Sequence, residues 1–253
     1  MKIVVFDTET TSLEKPFVYN IGYLIYDTES RKVLVKHDFV VEQIWHNREL
    51  FTTAYYADKR QLYVDRMRAK QVVMEKLGRI TQLMCREFKF YGVSSAYAYN
   101  SPFDVKVFDF NCDWFKIKNP FDNIPIFDIR GYVFNKIAFT PEYQDFCEEH
   151  ELFTESGNYS TTAENVTKYL SKNTDFIEEH TALADSEIEL EILLTCVDKG
   201  CEFEKEYKVY RSVARKTAKT LLVRDKEGET HRYPYTKIII YKEKSNRKKI
   251  YLK

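Results

Sequence analysis

The sequence predicts an α/β protein with one mixed sheet flanked by helices, followed by a small, basic, β-rich extension. Three β-rich segments come first in succession, and segments of alternating helical and strand character follow them. The last part of the chain then changes in composition. With 253 residues, of which 44% are hydrophobic and 31% charged, the chain is long enough for one core of ordinary size and a small appendage.

The amino-terminal part of the chain predicts a three-stranded meander. Residues 3–6 are an apolar run that ends in acidic residues, which is typical of a central strand with a functional end. Residues 20–26 and 32–41 are rich in aromatic and β-branched side chains, and a polar turn separates them. They predict two further strands.

Helices and short strands are expected to alternate in the middle of the chain. Apolar residues at helical spacing predict one long amphipathic helix over residues 65–88. A short strand over residues 94–99, a helix beginning at Pro102 and another strand over residues 124–129 follow. Further helices are predicted at residues 143–150, 162–170 and 182–198.

Charge divides the chain into a body and an extension. The 39 basic and 39 acidic residues balance overall, but residues 200–253 contain 16 Lys or Arg against 7 Asp or Glu. We place the boundary near Gly200, with a body over residues 1–199 and an extension over 200–253. Short strands are expected in the extension at residues 221–223, 232–235 and 237–241, the first two joined through residues 226–229. A basic extension can attract a phosphate backbone, but a solvated lysine-rich surface explains the charge equally well.

Composition also bears on location and redox state. The longest aliphatic runs are far shorter than the ~20 residues of a membrane span, and Asp7 and Glu9 interrupt any amino-terminal signal sequence. We therefore expect a cytoplasmic protein that does not bind membranes. The low glycine content, together with many Lys, Asn, Tyr and Phe residues, favours a bacterial or bacteriophage origin. The five cysteines are scattered and form no metal-ligand pattern, so we expect them to be reduced packing residues.

The first candidate for chemistry is the pair Asp7 and Glu9 at the end of the first strand. Side chains at positions i and i+2 of a strand lie on the same face, so the two carboxylates converge. Their repulsion is relieved by a hard divalent cation with oxygen ligands. Taken alone, two solvated carboxylates at a strand end explain the pattern as well.

Two later segments add chemistry to this pair. Asp104 follows a predicted strand and begins a predicted helix, where an acidic residue also serves as a cap. His180 precedes the last helix of the body, and Asp185 lies in its first turns. An imidazole can take a proton from a water molecule near neutral pH, and a carboxylate can hold a cation. Asp128, inside a strand-like run, is interpreted first as a structural residue with a hydrogen-bonding partner.

Together these segments resemble the DEDDh family of 3'–5' exonucleases, which have a ribonuclease H-like fold. Residues 6–13 (FDTETTSL) are similar to the first family motif, residues 100–104 (NSPFD) to the second, and residues 180–185 (HTALAD) to the third. The resemblance covers residues 1–199. Ser12 stands where the family usually has Gly, and Tyr99 stands where a His often precedes the Asn.

The resemblance implies a two-metal phosphodiester hydrolase that releases nucleoside monophosphates from 3' ends. Two Mg²⁺ or Mn²⁺ ions would be held by the four carboxylates, and His180 would act as the general base. The backbone near Thr10 would meet the terminal 3' hydroxyl, and Leu13 would pack against the terminal base. Asn100 and Phe103 would line the same pocket, although core packing explains Leu13 and Phe103 nearly as well. The implied metal ligands are Asp7, Glu9, Asp104 and Asp185.

Two other functions stay open at this point. A module with the same fold could bind nucleic acid, or accompany a DNA polymerase in proofreading, with weak or no catalysis. An endonuclease on this fold would also use clustered carboxylates and metals. The presence of His180 and all four carboxylates favours an exonuclease. The expected partner is nucleic acid with a free 3' end, DNA rather than RNA, and a DNA polymerase is a further expected partner.

Overall fold

The structure is a computed structural model that describes residues 1–52, 54, 57–215, 220–224, 230–234, 238–242 and 248–252. The chain divides into two compact units, Met1–Val213 and Ala214–Lys253. This division lies later in the chain than Gly200, because the intervening segment packs on the first unit. Val213 is buried, and its carbonyl accepts a hydrogen bond from the backbone N–H of Tyr159 at 3.0 Å.

A six-stranded mixed sheet is the centre of the first unit. Its strands in chain order are Lys2–Thr10 (β1), Val18–Asp27 (β2), Lys32–Val41 (β3), Val73–Glu75 (β4), Val93–Ala98 (β5) and Ile126–Asp128 (β6). Their spatial order is β4-β3-β2-β1-β5-β6. The first three strands form the predicted antiparallel meander, β5 and β6 continue the sheet in parallel with β1, and β4 is parallel to β3. The strand β1 is therefore central, and its carboxyl end lies at the same edge as that of β5.

Helices cover both faces of this sheet. They are Glu42–Trp45 (α1), Arg48–Thr52 (α2), Arg60–Arg68 (α3), Leu77–Tyr91 (α4), Pro102–Phe115 (α5), Ile129–Lys136 (α6), Pro141–Glu149 (α7), Ala163–Ser171 (α8) and Ala182–Asp198 (α9), with a 3₁₀ turn at Ala57–Lys59. Side chains of β1 alternate between two cores. Val4 and Phe6 pack with α4 and α5, whereas Ile3 and Val5 pack with α6 and α9. The predicted α/β class with a mixed sheet between helices is confirmed.

The long helix predicted over residues 65–88 is wrong. The helix α3 ends at Arg68, Lys70 adopts a left-handed backbone with φ 59°, and a strand, β4, separates α3 from α4. Val72 is buried while Val73 is 53% exposed, so the pair alternates as a strand does and does not share a helix face. Pairing with β3 overrides the helical spacing of the apolar residues.

The other predicted elements of the body are confirmed, with small changes at their ends. The predicted strand over residues 124–129 is shorter, because Asp128 caps α6 by accepting a hydrogen bond from the backbone N–H of Arg130 at 2.8 Å. Asp128 also accepts from the backbone N–H of Asn100 at 3.0 Å, in agreement with the structural role predicted for it.

The second unit contains two antiparallel hairpins. Thr220–Arg224 (β7) pairs with Thr230–Pro234 (β8), and Ile238–Lys242 (β9) pairs with Lys248–Leu252 (β10). The sequence predicts three of these strands. It does not predict β10, because the lysines in this segment indicate a solvated, charged surface. The predicted turn over residues 226–229 lies outside the described residues.

Two further expectations concern the cysteines and the membrane. All five cysteines are free thiols, and four of them are buried, as expected for packing residues. Over the part of the chain that the structure describes, no helix is long and apolar enough to cross a membrane.

Candidate active site

The central strand β1 presents Asp7 and Glu9 at its carboxyl end, on the face that α9 covers. This follows from the alternation that points Ile3 and Val5 to the same face. Both acidic side chains are partly buried. The predicted convergence of the two carboxylates is therefore present in the structure.

The helix α9 brings a third carboxylate to this pair. It begins against β2 at Gly22, where an added Cβ would lie 2.1 Å from the backbone of Ala182 and Leu183, so only glycine permits the approach. One carboxylate oxygen each of Asp7, Glu9 and Asp185 then lies within 4.8 Å of those of the other two. We call these three residues the carboxylate trio.

Asp104 reaches the same region from the opposite face of the sheet. It lies in the first turn of α5 and is 2% exposed, and its Oδ1 accepts a hydrogen bond from Thr8 Oγ1 at 2.6 Å. Its negative charge raises the pKa of Asp7. Among the described residues, Asp104 is not one of the groups that share the 4.8 Å spacing of the trio.

Burial and mutual repulsion shift the ionisation of this cluster. Burial, followed by the charge of Asp104, raises the pKa of Asp7 well above its ordinary value. Burial, followed by the charge of Asp7, also raises the pKa of Glu9 well above its ordinary value. The same two causes raise the pKa of Asp185 to about 8. Burial also raises the pKa of Asp104 to about 7, against the hydrogen bond from Thr8. Without a cation, the folded protein therefore retains protons on these carboxyl groups.

The donor set fits a hard divalent cation. Such ions prefer carboxylate oxygens, and the trio offers three within reach of one another. In addition, Oδ1 of Asp185 is buried and has no hydrogen-bond partner among the residues that the structure describes. A buried carboxylate oxygen without a partner is costly, and a bound cation would satisfy it.

His180 lies on the loop that leads into α9. Its backbone is left-handed, with φ 51°, and its side chain is 27% exposed. Its Nδ1 lies 3.7 Å from Oε2 of Glu178. Burial, followed by the nearby positive charge of Lys59, lowers the pKa of His180 below the usual 6.5, so the imidazole is neutral at neutral pH. One ring nitrogen of His180 lies within 4.8 Å of a carboxylate oxygen each of Glu164 and Glu178, in a group separate from the trio. A neutral imidazole can accept a proton.

Two acidic residues of this region are missed by the sequence reasoning. Glu178 is only 12% exposed, and burial, followed by the charges of Asp185 and Glu164, raises its pKa to about 8. Glu189 is buried and accepts a hydrogen bond from the backbone N–H of Tyr99 at 3.1 Å. The position of Glu189, four residues after Asp185 on one helix, is the signal that could have found it.

Comparisons with known proteins give a match in structure but not in sequence. No family model matches the chain, and no curated protein is significantly similar to it. The nuclease domain of 3'hExo, a DEDDh family member with rAMP bound in its crystal structure, aligns with a TM-score of 0.55 and 15% identity over 84% of this chain and 97% of that one. A 3'-exonuclease whose structure describes 3'-end specific recognition of a histone mRNA stem-loop aligns with a TM-score of 0.51 and 12% identity over 93% and 91% of the two chains.

The chain has the fold of these nuclease domains. This confirms, at the level of the fold, the resemblance derived from the three sequence motifs. At 15% and 12% identity, these matches show a common fold and do not assign roles to individual residues.

The positions that the sequence resemblance assigns to a substrate pocket differ in their surroundings. Leu13 is 74% exposed, which rules out core packing for it, and its carbonyl accepts a hydrogen bond from Lys106 Nζ at 3.0 Å. Phe103, in contrast, is partly buried and packs against the core, in agreement with the core-packing interpretation of this residue. Asn100 is exposed, has φ 62°, and its Oδ1 accepts from the Arg130 guanidinium at 3.1 Å. Thr10 ends β1, and its hydroxyl donates to the Ser12 carbonyl at 3.4 Å.

Tyr99, which replaces the usual DEDDh histidine, has a structural contact of its own. Its hydroxyl donates a hydrogen bond to the Thr161 carbonyl at 2.6 Å. This bond ties the end of β5 to the segment that precedes α8.

The raised pKa values of the buried carboxyl groups predict an unusual pH dependence of stability. Unfolded Asp has a pKa of about 3.9, whereas the pKa values of Asp104 and Asp185 in the folded protein are about 7 and about 8. The folded state therefore binds more protons than the unfolded state between these values, and metal-free stability falls as pH rises from about 4 to about 8.

We expect the melting temperature in EDTA to fall over this interval and to recover when Mg²⁺ is added at the upper end. Differential scanning calorimetry measures both effects. The variant Asp185→Asn, which removes one titrating group, should show a weaker fall. A melting temperature that rises with pH in EDTA would contradict this account of the cluster.

Proposed function

We propose that this chain is a metal-dependent 3'–5' exonuclease that hydrolyses the terminal phosphodiester of nucleic acid and releases nucleoside 5'-monophosphates. The observation that carries the proposal is the convergence of the carboxylate trio at the edge where β1 and β5 end, with His180 on the loop that leads into the helix of Asp185. The shared fold with DEDDh nuclease domains supports it. The buried, partnerless Oδ1 of Asp185 supports a cation at this site.

The four carboxylates would hold two Mg²⁺ or Mn²⁺ ions, with Asp7, Glu9 and Asp185 as the nearest set and Asp104 on the side of Thr8. When bound, the ions supply Lewis-acid stabilisation of the negative charge that develops on the phosphate oxygens. Thr8 orients Asp104 through its 2.6 Å hydrogen bond. Without the Thr8 hydroxyl, the buried Asp104 carboxylate would accept one hydrogen bond fewer.

His180 would remove the proton from the attacking water molecule. Since Nδ1 faces Glu178, we assign the proton transfer to Nε2. The water oxygen bonds to phosphorus, and the bond from phosphorus to the O3' of the penultimate nucleotide breaks. The released nucleotide keeps the phosphate at its 5' position, and the shortened strand gains a 3' hydroxyl.

We assign Leu13 and Asn100 to contacts with the terminal nucleotide, because both are exposed and follow the carboxyl ends of the neighbouring strands β1 and β5. We assign the backbone near Thr10 to the terminal 3' hydroxyl. Phe103 would contribute from its partly buried position on α5. The two compared nucleases were studied with ribonucleotides, rAMP and a histone mRNA stem-loop, whereas DNA is the substrate expected from the sequence, so both sugar types belong in the assay.

A direct test uses 5'-labelled oligonucleotides with Mg²⁺ or Mn²⁺. DNA and RNA of matched sequence are compared as single strands and duplexes, alongside a circular single strand of the same composition. We expect a ladder that shortens from the 3' end and an intact circle. Cleavage of the circle would instead establish an endonuclease, and binding without cleavage would establish a nucleic-acid-binding module.

The basic second unit gives a separate prediction about substrate affinity. We propose that it contacts the phosphate backbone, because its carboxyl-terminal residues are rich in cations while the rest of the chain is acidic. Each phosphate contact to a single strand contributes about −0.7 to the slope of log affinity against log salt. Replacing Lys244, Arg247, Lys248 and Lys249 together with Gln should therefore weaken binding and flatten this slope.

Fluorescence anisotropy in EDTA measures the affinity without turnover at several salt concentrations. The matched control replaces Lys32, Arg68, Lys70 and Lys76 of the first unit with Gln, which removes the same number of charges. An unchanged slope in the second-unit variant would exclude this contact and leave a protein partner as the role of the unit.

A further inference from the structure

One guanidinium binds the residues on both sides of His180. Arg66, on α3, forms an ion pair with Oε1 of Glu179, and its NH1 donates a hydrogen bond to Oγ1 of Thr181 at 3.1 Å. The side chain of Arg66 is 22% exposed, and Thr181 is fully buried. The two neighbours of the candidate general base are thus fixed by the same side chain.

The loop needs such support because of its backbone. His180 has φ 51°, a left-handed conformation that non-glycine residues rarely adopt and that persists only where the surroundings impose it. A second contact comes from the turn before α3, where Lys59 Nζ donates to the backbone carbonyl of Glu179. The segment from Ala57 to Arg68 therefore holds the loop through backbone and side chain together.

A buried polar network connects Arg66 to the sheet. Its guanidinium lies 3.7 Å from Oδ2 of Asp38, and Oδ1 of Asp38 accepts from Asn20 Nδ2 at 2.5 Å. Oδ1 of Asn20 accepts hydrogen bonds from the backbone N–H of Ala182, at 2.8 Å, and from the Tyr63 hydroxyl, at 2.9 Å. The start of α9, the sheet and α3 thus meet at fully buried Asn20.

We propose that Arg66 is a positioning residue of the reaction: it fixes the loop Glu179–Thr181 and thereby holds His180 in place before α9. This inference rests on the proposed function. It goes beyond that function because it assigns a role to α3, a helix that none of the three motifs includes. Arg66 acts on the proton transfer through His180 and not on the metal ligands.

The test compares Arg66→Ala with Arg68→Ala, a control on the same helix whose arginine is 73% exposed and pairs only with Asp65 among its described ionic contacts. Loss of an orienting contact typically costs about 10- to 100-fold, and we expect this loss in kcat for Arg66→Ala, with KM and calorimetric Mg²⁺ affinity unchanged. The control should match the wild type. A loss that appears in KM or Mg²⁺ affinity instead of kcat would overturn the proposal.

A double-mutant cycle tests whether Arg66 affects the rate through His180. In a His180→Ala background, Arg66→Ala should cause no further loss, because the residue it positions is gone. Additive losses would show that Arg66 acts elsewhere and would overturn the proposal. If Arg66→Ala fails to fold, Glu179→Gln and Thr181→Val remove the two contacts separately, and each should lower kcat alone.

A readout without catalysis separates this proposal from the proposed function. Arg66→Ala should speed amide hydrogen exchange at residues 179–182 relative to wild type and Arg68→Ala, whether or not the protein cleaves nucleic acid. An inactive wild-type protein would refute the exonuclease. Unchanged exchange at residues 179–182 would refute the positioning role, even in an active enzyme.

Discussion

Asp7→Asn and Asp104→Asn are expected to abolish turnover and to raise the melting temperature of the metal-free protein. Each variant removes a carboxylate that we assign to the cations, whose transition-state stabilisation amounts to several kcal/mol, or about 10² in rate or more. At the same time, each removes one charge from a buried cluster in which the pKa of Asp7 is raised by burial and then by Asp104. Loss of function with a gain of stability is the signature of a site whose charges repel without metal.

Single-turnover rates with Mg²⁺ measure the first effect. Melting curves in EDTA at about pH 9, above the pKa values of about 7 for Asp104 and about 8 for Asp185, measure the second. Asp113→Asn is the matched control, because Asp113 is an exposed carboxylate on the same helix as Asp104. Near wild-type rates in either site variant would show that the carboxylates do not hold the catalytic metal.

His180→Ala is expected to lower kcat by about 10²- to 10⁴-fold, the usual contribution of general acid–base catalysis. Metal affinity should be kept, because the imidazole is assigned to the water molecule and the carboxylates to the cations. Higher pH should partly restore the rate, since hydroxide replaces the lost base. In the wild type, the lowered pKa of His180 keeps the imidazole neutral, so the acidic limb of the rate profile lies below the usual 6.5.

Rates across pH at saturating Mg²⁺ check these expectations, with His150→Ala as the control. His150 lies at the end of α7 and pairs with Glu149, away from the loop before α9. Unchanged activity of His180→Ala at neutral pH would remove His180 from the mechanism.

Local patterns predict much of this fold because several elements carry a clear period. The strand β3 and the helix α9 have the predicted bounds, and the alternation along β1 places Asp7 and Glu9 on the face that meets α9. The single helix predicted over residues 65–88 is wrong because the spacing of apolar residues carries no information about strand pairing. The strand β4 has three residues, and its extended conformation depends on pairing with β3.

The candidate site divides in the same way. Asp7, Glu9 and Asp185 belong to short motifs, and the structure brings their carboxylates together, whereas the imidazole of His180 lies nearest to Glu178 and Glu164. Arg66 has no motif, because its role depends on a helix that reaches the loop before α9 across a gap of more than one hundred residues. Contacts between segments so distant in sequence depend on tertiary packing, and a single sequence does not display them.

Product identity tests the exonuclease most directly. A single-stranded oligonucleotide with a free 3' hydroxyl is incubated with the full chain and Mg²⁺ in ¹⁸O-labelled water, and the released products are followed by mass spectrometry. We predict that nucleoside 5'-monophosphates appear one at a time from the 3' end, each with ¹⁸O in its phosphate, and that the shortened strands end in a 3' hydroxyl. Release of nucleoside 3'-monophosphates, or of nucleotides from the 5' end, would contradict the account.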